Sequence, residues 1–193
     1  MSNLIAKFRR YIDKDIDLSG MQYATYLLLI FIVGSMIGWV YEELDFFFVL
    51  HEKVKRGFLY GPWLPVYGTG GVLMLTLLGR WRRNPFVVFF GSMIIAAILE
   101  YSTAAAMMAI WHKRWWDYSG MPFNLQGYIS LQSILSFGIM ALALFFMIDP
   151  FVRRFVARRF ANDGRVFSVV IWGLGAVMLV DVVLTFLFRN PVS

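Results

Sequence analysis

The chain has 193 residues, is 60% hydrophobic, carries 18 Lys and Arg against 12 Asp and Glu, and has no cysteine. A soluble domain sits nearer half apolar, and the excess here is gathered into runs close to the ~20 residues that cross a bilayer. Disulfides and thiolate chemistry are excluded, and the +6 charge does not point to nucleic acid, because the basic residues lie between apolar runs as topology signals do.

Residues 1–20 read as an amphipathic arm at the cytoplasmic membrane surface. Leu4, Ile5, Phe8, Ile12 and Ile16 fall near helical spacing, with Lys7, Arg9, Arg10 and Lys14 on the other faces. No cleavable signal is expected, since this stretch lacks an apolar centre and carries Asp13, Asp15 and Asp17. Residues 21–193 read as one all-α transmembrane helical bundle of about five spans. The spans run from Met21 to Glu43, Leu64 to Gly79, Pro85 to Trp111, Tyr128 to Ile148 and Val166 to Phe188. The second is short, and Gly57, Gly61, Pro62, Pro65, Gly68, Gly70 and Gly71 crowd its beginning. That density predicts a broken or re-entrant start, which a membrane tolerates only where other protein shields it.

Basic residues set the orientation. Twelve lie on one side, in the arm, at Arg80, Arg82 and Arg83, and at Arg153, Arg154, Arg158, Arg159 and Arg165. Six lie on the other: Lys53, Lys55, Arg56, Lys113, Arg114 and Arg189. The richer side is expected to be cytoplasmic, with the N-terminus inside and the C-terminus outside. Residues 150–165 alternate Phe and Val with Arg pairs before the turn signal Asn162-Asp163-Gly164, and read as a basic amphipathic helix on that side. It serves either as an anchor on anionic lipid or, through Arg153, Arg154, Arg158 and Arg159, as a docking point for a partner.

Acidic residues inside apolar spans are the strongest functional pointers, because burying a charge is costly. Gly34, Gly38 and Glu42 are four apart and share a helix face. Ser92, Ala96, Glu100 and Ala104 form a second stripe of that kind, and Asp181 is expected to share a face with Thr185 and Gly173. Glu42, Glu100 and Asp181 fall in the outer half of the membrane and could converge on a polar pocket. The plain alternative is structural pairing, with His112, Lys113, Arg114 and Arg56 as partners. The outer loops add Tyr60, Trp63, Tyr67, Trp116, Asp117, Tyr118 and Asn124 to the ligand or gate candidates. An aromatic belt explains part of this, and a packed plug or a ligand-contacting surface explains the glycine and proline density.

No P-loop and no Gly-x-Ser-x-Gly elbow is present, and His51 and His112 form no metal-binding pattern. No cofactor, metal or catalytic residue is expected, which weighs against an enzyme.

Several motifs occur in order: Gly38-Trp39 with Glu42, the run from Arg56 to Pro62, Pro65-x-Tyr67-Gly68, Glu100-Tyr101, Trp116-Asp117-Tyr118-Ser119, Phe123-Asn124 and Gly127. On these residues the chain resembles the bacterial membrane proteins called type IV ABC-transporter permeases, across roughly residues 34–140. The resemblance implies a transport subunit in the bacterial cytoplasmic membrane, working with a separate ATPase and with a second membrane subunit or a second copy. It implies no substrate. Two readings compete: a non-catalytic membrane scaffold or assembly factor, and a lipid-handling enzyme that uses the outer carboxylates.

Overall fold

The computed structural model describes residues 16–18, 20–45 and 57–188. Most of the N-terminal arm and the basic residues Lys53, Lys55, Arg56 and Arg189 lie outside the described residues, as does His51. The described part is all-α. Helix α1 spans Met21–Asp45, α2 Pro65–Leu78, α3 Pro85–Trp111, α4 Leu131–Ala143 and α5 Asp149–Phe188. A 3₁₀ turn, Gly79–Trp81, closes α2, and a π-helical turn, Leu144–Ile148, joins α4 to α5. Among the described residues three stretches are long and apolar enough to cross a membrane: Met21–Leu44, Pro85–Trp111 and Leu131–Phe188. The chain is a multi-pass membrane protein by that measure.

Local chemistry explains the boundaries. Helix α3 begins where expected because Pro85 fits the first helical position and the Asn84 side chain accepts from the amides of Phe86 and Val87. The helix expected from Tyr128 starts instead at Leu131. Ser130 and Ser133 form a reciprocal cap there, and Tyr128 belongs to the preceding loop. The basic segment and the last apolar stretch are two helices that meet at a kink at Asp163 (φ −142°, ψ 51°), so the last stretch begins within a few residues of Val166, as expected. The turn signal at Asn162-Asp163-Gly164 therefore produces a local break. Pro150 lacks an N–H, and its ring opposes the carbonyl four residues back, so the widened turn at Leu144–Ile148 takes up the misfit.

The second segment is a continuous helix from Pro65, with Gly68, Gly70 and Gly71 inside it, and the glycine- and proline-rich stretch before it is a loop. Residues 57–64 are non-helical, Leu59 is buried, and the Leu64 amide donates to the Ser35 carbonyl of α1 at 2.9 Å. Helix α2 lies directly on α1. A methyl group on Gly68 would sit 2.3 Å from the Phe31 carbonyl oxygen, and one on Gly38 would enter the Tyr67 ring. The small residues are what let these two backbones meet. The core runs from Tyr26 and Ile30 through Met74 and Leu75 to Val88, Ala96, Ala141, Phe145 and Val156. Large apolar side chains such as Ile94, Ile98, Val169 and Leu179 face outward, as lipid contact requires.

Candidate functional site

The bundle has an acidic, aromatic end and a basic end. At the acidic end, α3 buries Ser92, Ala96, Glu100 and Ala104, which is the stripe the four-residue spacing predicts. Glu100 is only 6% exposed. Its carboxylate accepts a hydrogen bond from the Tyr118 hydroxyl on Oε1 and one from the Ser133 hydroxyl on Oε2, each at 2.9 Å. Both donors are neutral. Among the described residues no Lys, Arg or His forms an ion pair with Glu100, and Arg114, an expected partner, is engaged by Asp117 instead.

Glu42 is brought to the same place. The Tyr67 hydroxyl donates to Glu42 Oε1 at 3.1 Å, and Glu42 lies within electrostatic reach of Glu100 and Tyr118. Tyr67 is set by the contact of α1 with α2, because its ring occupies the space left by Gly38. Tyr118 comes from the α3–α4 loop. Burial pushes its phenol far above the ordinary range, and the adjacent Glu100 carboxylate pushes the same way. It therefore remains a proton donor at any ordinary pH.

Asp181 does not join them. Its Oδ1 accepts from the Tyr60 amide at 3.0 Å and from Thr185 Oγ1 at 3.1 Å. Its Oδ2 accepts from the Gly61 amide at 2.8 Å and from Trp63 Nε1 at 2.7 Å. Four donors use the carboxylate's capacity and tie the 57–64 loop to α5. Gly173 is not on this face, contrary to expectation. Eight residues at 100° each leave it about 80° away, and it meets nothing, whereas Gly175 packs on Leu28.

The remaining loop candidates organise their own loop. Asp117 accepts from Arg114 Nη1 at 2.8 Å and from the Ser119 amide at 2.9 Å. The Ser119 hydroxyl and amide, then the Arg114 guanidinium, hold this exposed carboxyl below its usual range. Trp116 Nε1 donates to the Tyr128 carbonyl at 2.9 Å, and Asn124 Nδ2 donates to the Met121 carbonyl at 2.8 Å. The Gly127 amide donates back to Asn124 Oδ1 at 3.1 Å. Gly127 has φ +71°, and a methyl there would strike Arg114, Ser119 and Asp117. The two loops pack through Phe58 and Trp115, whose ring centres are 4.7 Å apart.

Sequence reasoning passed over Asp149, at the basic end. It is 2% exposed, accepts from the Tyr26 hydroxyl, and accepts from Arg153 Nε at 2.7 Å. Arg82 Nη1 stands 3.9 Å from its other oxygen. The available signal was an acid at the end of an apolar run with an arginine one helical turn later. Of the four arginines read as a docking face, Arg153 is therefore turned inward, and its guanidinium also stacks on Tyr26 at 4.5 Å. Arg154 is half-buried against the Pro150 carbonyl, and Arg158 and Arg159 are exposed.

A family model described as Putative ABC-transporter type IV matches residues 29–186, which include both ends of the bundle. Comparison with curated proteins and with solved structures gives no match.

Proposed function

The chain belongs to the Putative ABC-transporter type IV family, and from that membership we propose that it is the membrane-embedded subunit of a transporter whose ATPase is a separate chain. On this reading the chain crosses five times and pairs with a second membrane subunit or a second copy. Its crossings are α1, α2, α3, α4 with the π turn, and α5 beyond Asp163, in a bacterial cytoplasmic membrane with the basic end inside. On that reading Arg158 and Arg159, the exposed pair on the basic stretch of α5, face the ATPase.

The observation that carries the site is Glu100, a buried carboxylate held by two hydroxyls with no cation beside it among the described residues. A charge in that setting is costly, so the group has reason to hold a proton or to bind a cation in transit. Glu42, through Tyr67, is the second acid of the cluster. Asp181, Trp63, Asp117, Trp116 and Asn124 hold the loops around it.

Co-purification is the test. The tagged protein, expressed at native level and extracted in mild detergent, is expected to bring down a P-loop ATPase in stoichiometric amount. The pair Arg158→Gln and Arg159→Gln is expected to release it. Recovery of no ATPase, under conditions that keep a known ABC complex intact, sinks the subunit reading. The internally bonded 115–130 loop favours a scaffold as the second reading. Those two readings separate at Glu100→Gln. Loss of function with normal protein level supports transport, and retained function supports the scaffold.

A further inference from the structure

We propose that the tip of the α3–α4 loop is seated in the bilayer leaflet at the acidic end of the bundle, with Phe123 and Leu125 as its apolar contacts to lipid. The inference stands apart from the transport reading. Phe123 is 83% exposed and Leu125 53%. A slack chain is not the cause. Asn124 ties the Met121 carbonyl to the Gly127 amide, the Leu125 amide donates to the Ile129 carbonyl at 3.0 Å, and the Tyr101 hydroxyl donates to Gln126 Oε1 at 2.8 Å. Phe123 itself has φ +54°, a backbone state that Gly or Asn adopts at lower cost than a large ring. A ring so exposed recovers little of that cost within the chain, whereas apolar contact outside it does.

Depth and charge argue for lipid as the occupant. Helix α3 is long and apolar enough to cross a membrane, and it starts two residues after Arg83, whose place is the headgroup region. Tyr101 stands sixteen residues beyond Pro85, a rise of ~24 Å. The hydrocarbon core is ~30 Å thick. The loop is fastened at that level. Gln126 accepts from the Tyr101 hydroxyl, the Tyr128 ring centre lies 5.4 Å from that of Tyr101, and Tyr118 donates to Glu100, one residue below. Helix α3 continues for ten more residues to Trp111. The loop therefore folds back along the helix toward the bilayer, and an exposed Phe and Leu at that depth meet lipid. No Asp, Glu, Lys, Arg or His occurs between Asp117 and Asp149, so this side of the loop carries no charge that would hold it in water. An exposed apolar stripe on α4, Leu131, Leu135 and Ile139, starts where the loop ends. The Tyr118 amide donates to the Gly127 carbonyl at 2.9 Å, so lipid contact at the tip also helps to hold Tyr118 on Glu100.

The test uses the full chain in vesicles of phosphatidylcholine and phosphatidylglycerol. Because the chain has no cysteine, single cysteines carry a nitroxide label without background. Phe123→Cys and Leu125→Cys are labelled, with Lys113→Cys as the reference for water. Collision with molecular oxygen, which concentrates in the bilayer, is compared with collision with a water-soluble nickel chelate. The labels at 123 and 125 are expected to favour oxygen, and the label at 113 the nickel chelate. Nickel preference at 123 and 125 puts the tip in water and overturns the proposal. Low collision with both reagents means that protein covers the tip, a second copy or another partner, and this overturns it too. A second measurement leaves the chain unlabelled. Phe123→Ser with Leu125→Ser changes only exposed side chains and is expected to speed hydrogen exchange at residues 115–128 in vesicles by roughly threefold or more. Exchange equal to the parent's would mean that lipid does not hold the loop, which overturns the proposal.

Discussion

Asp181 accepts four hydrogen bonds, two from backbone amides and one from an indole, whereas Glu100 accepts two, both from hydroxyls. Both acids sit in apolar helices at the same end of the bundle. The first is surrounded by donors that cannot let go without unmaking the 57–64 loop. The second is held by side chains that can rotate away and by nothing that neutralises it among the described residues. A buried carboxylate is thus no functional signal by itself. The number and kind of its donors set how firmly each carboxylate is held.

That contrast predicts a ranking. The largest loss of stability is expected for Asp181→Ala, which strands the Tyr60 and Gly61 amides and the Trp63 indole. Hydrogen bonds to a charged group contribute ~1.5–3 kcal/mol each, so unfolding in detergent should begin far earlier. An Asp181→Ala protein as stable as the parent would erase the distinction from Glu100. Gly68→Ala comes next, because its methyl would lie 2.3 Å from the Phe31 carbonyl oxygen and the Ser35 hydroxyl. Overpacking of this kind costs about 1–3 kcal/mol, read as a lowered melting temperature, and it also shifts Tyr67 from Glu42.

Glu100→Gln should cost less than either, since the amide oxygen can keep one hydroxyl and the charge is removed. Its signature should be spectroscopic. If Glu100 carries a proton, infrared spectra contain a protonated-carboxyl band that vanishes in Glu100→Gln. A band unchanged by the substitution would remove Glu100 as the proton carrier.

The smallest effect belongs to Asp117, outside the spans. Its folded pKa is depressed by Ser119 and Arg114, so its contribution is present above the unfolded value of ~3.9 and fades as pH falls through the lower folded value. Asp117→Asn should therefore soften the loop near neutral pH and flatten its response to acid below about pH 4. Hydrogen exchange at residues 115–128 reads this directly. An acid response identical to the parent's would mean Asp117 does not organise the loop.

Much of the acidic end was legible in advance. The four-residue spacing put Glu100 inside, and Gly34 and Gly38 marked a packing face on α1, whose partner proved to be α2, with Gly68 at the contact. Spacing failed at Gly173, where an eight-residue step was treated as whole turns. Asp149 had one local sign, Arg153 one turn later, while its other partners, Tyr26 and Arg82, are far away in sequence. Glu42 lies within electrostatic reach of Glu100, while Asp181 is bonded to the 57–64 loop. Pairing Asp181 with the 57–64 loop requires α5 to lie beside that loop, and no local pattern encodes which helix is whose neighbour.

The sequence by itself determined that this is a helical membrane protein, where its apolar stretches lie, and which helix faces are too small or too polar for lipid. Those properties follow from composition and from the 100° step of the helix, which act within a few residues of each other. Only the tertiary structure decided that Asp181 is held by four donors and Glu100 by two hydroxyls, and that Arg153 turns inward while Arg158 and Arg159 stay exposed. A buried charge takes its meaning from the donors around it, and for Asp181 and Asp149 some of those arrive from segments more than a hundred residues away, Tyr60 for the first and Tyr26 for the second.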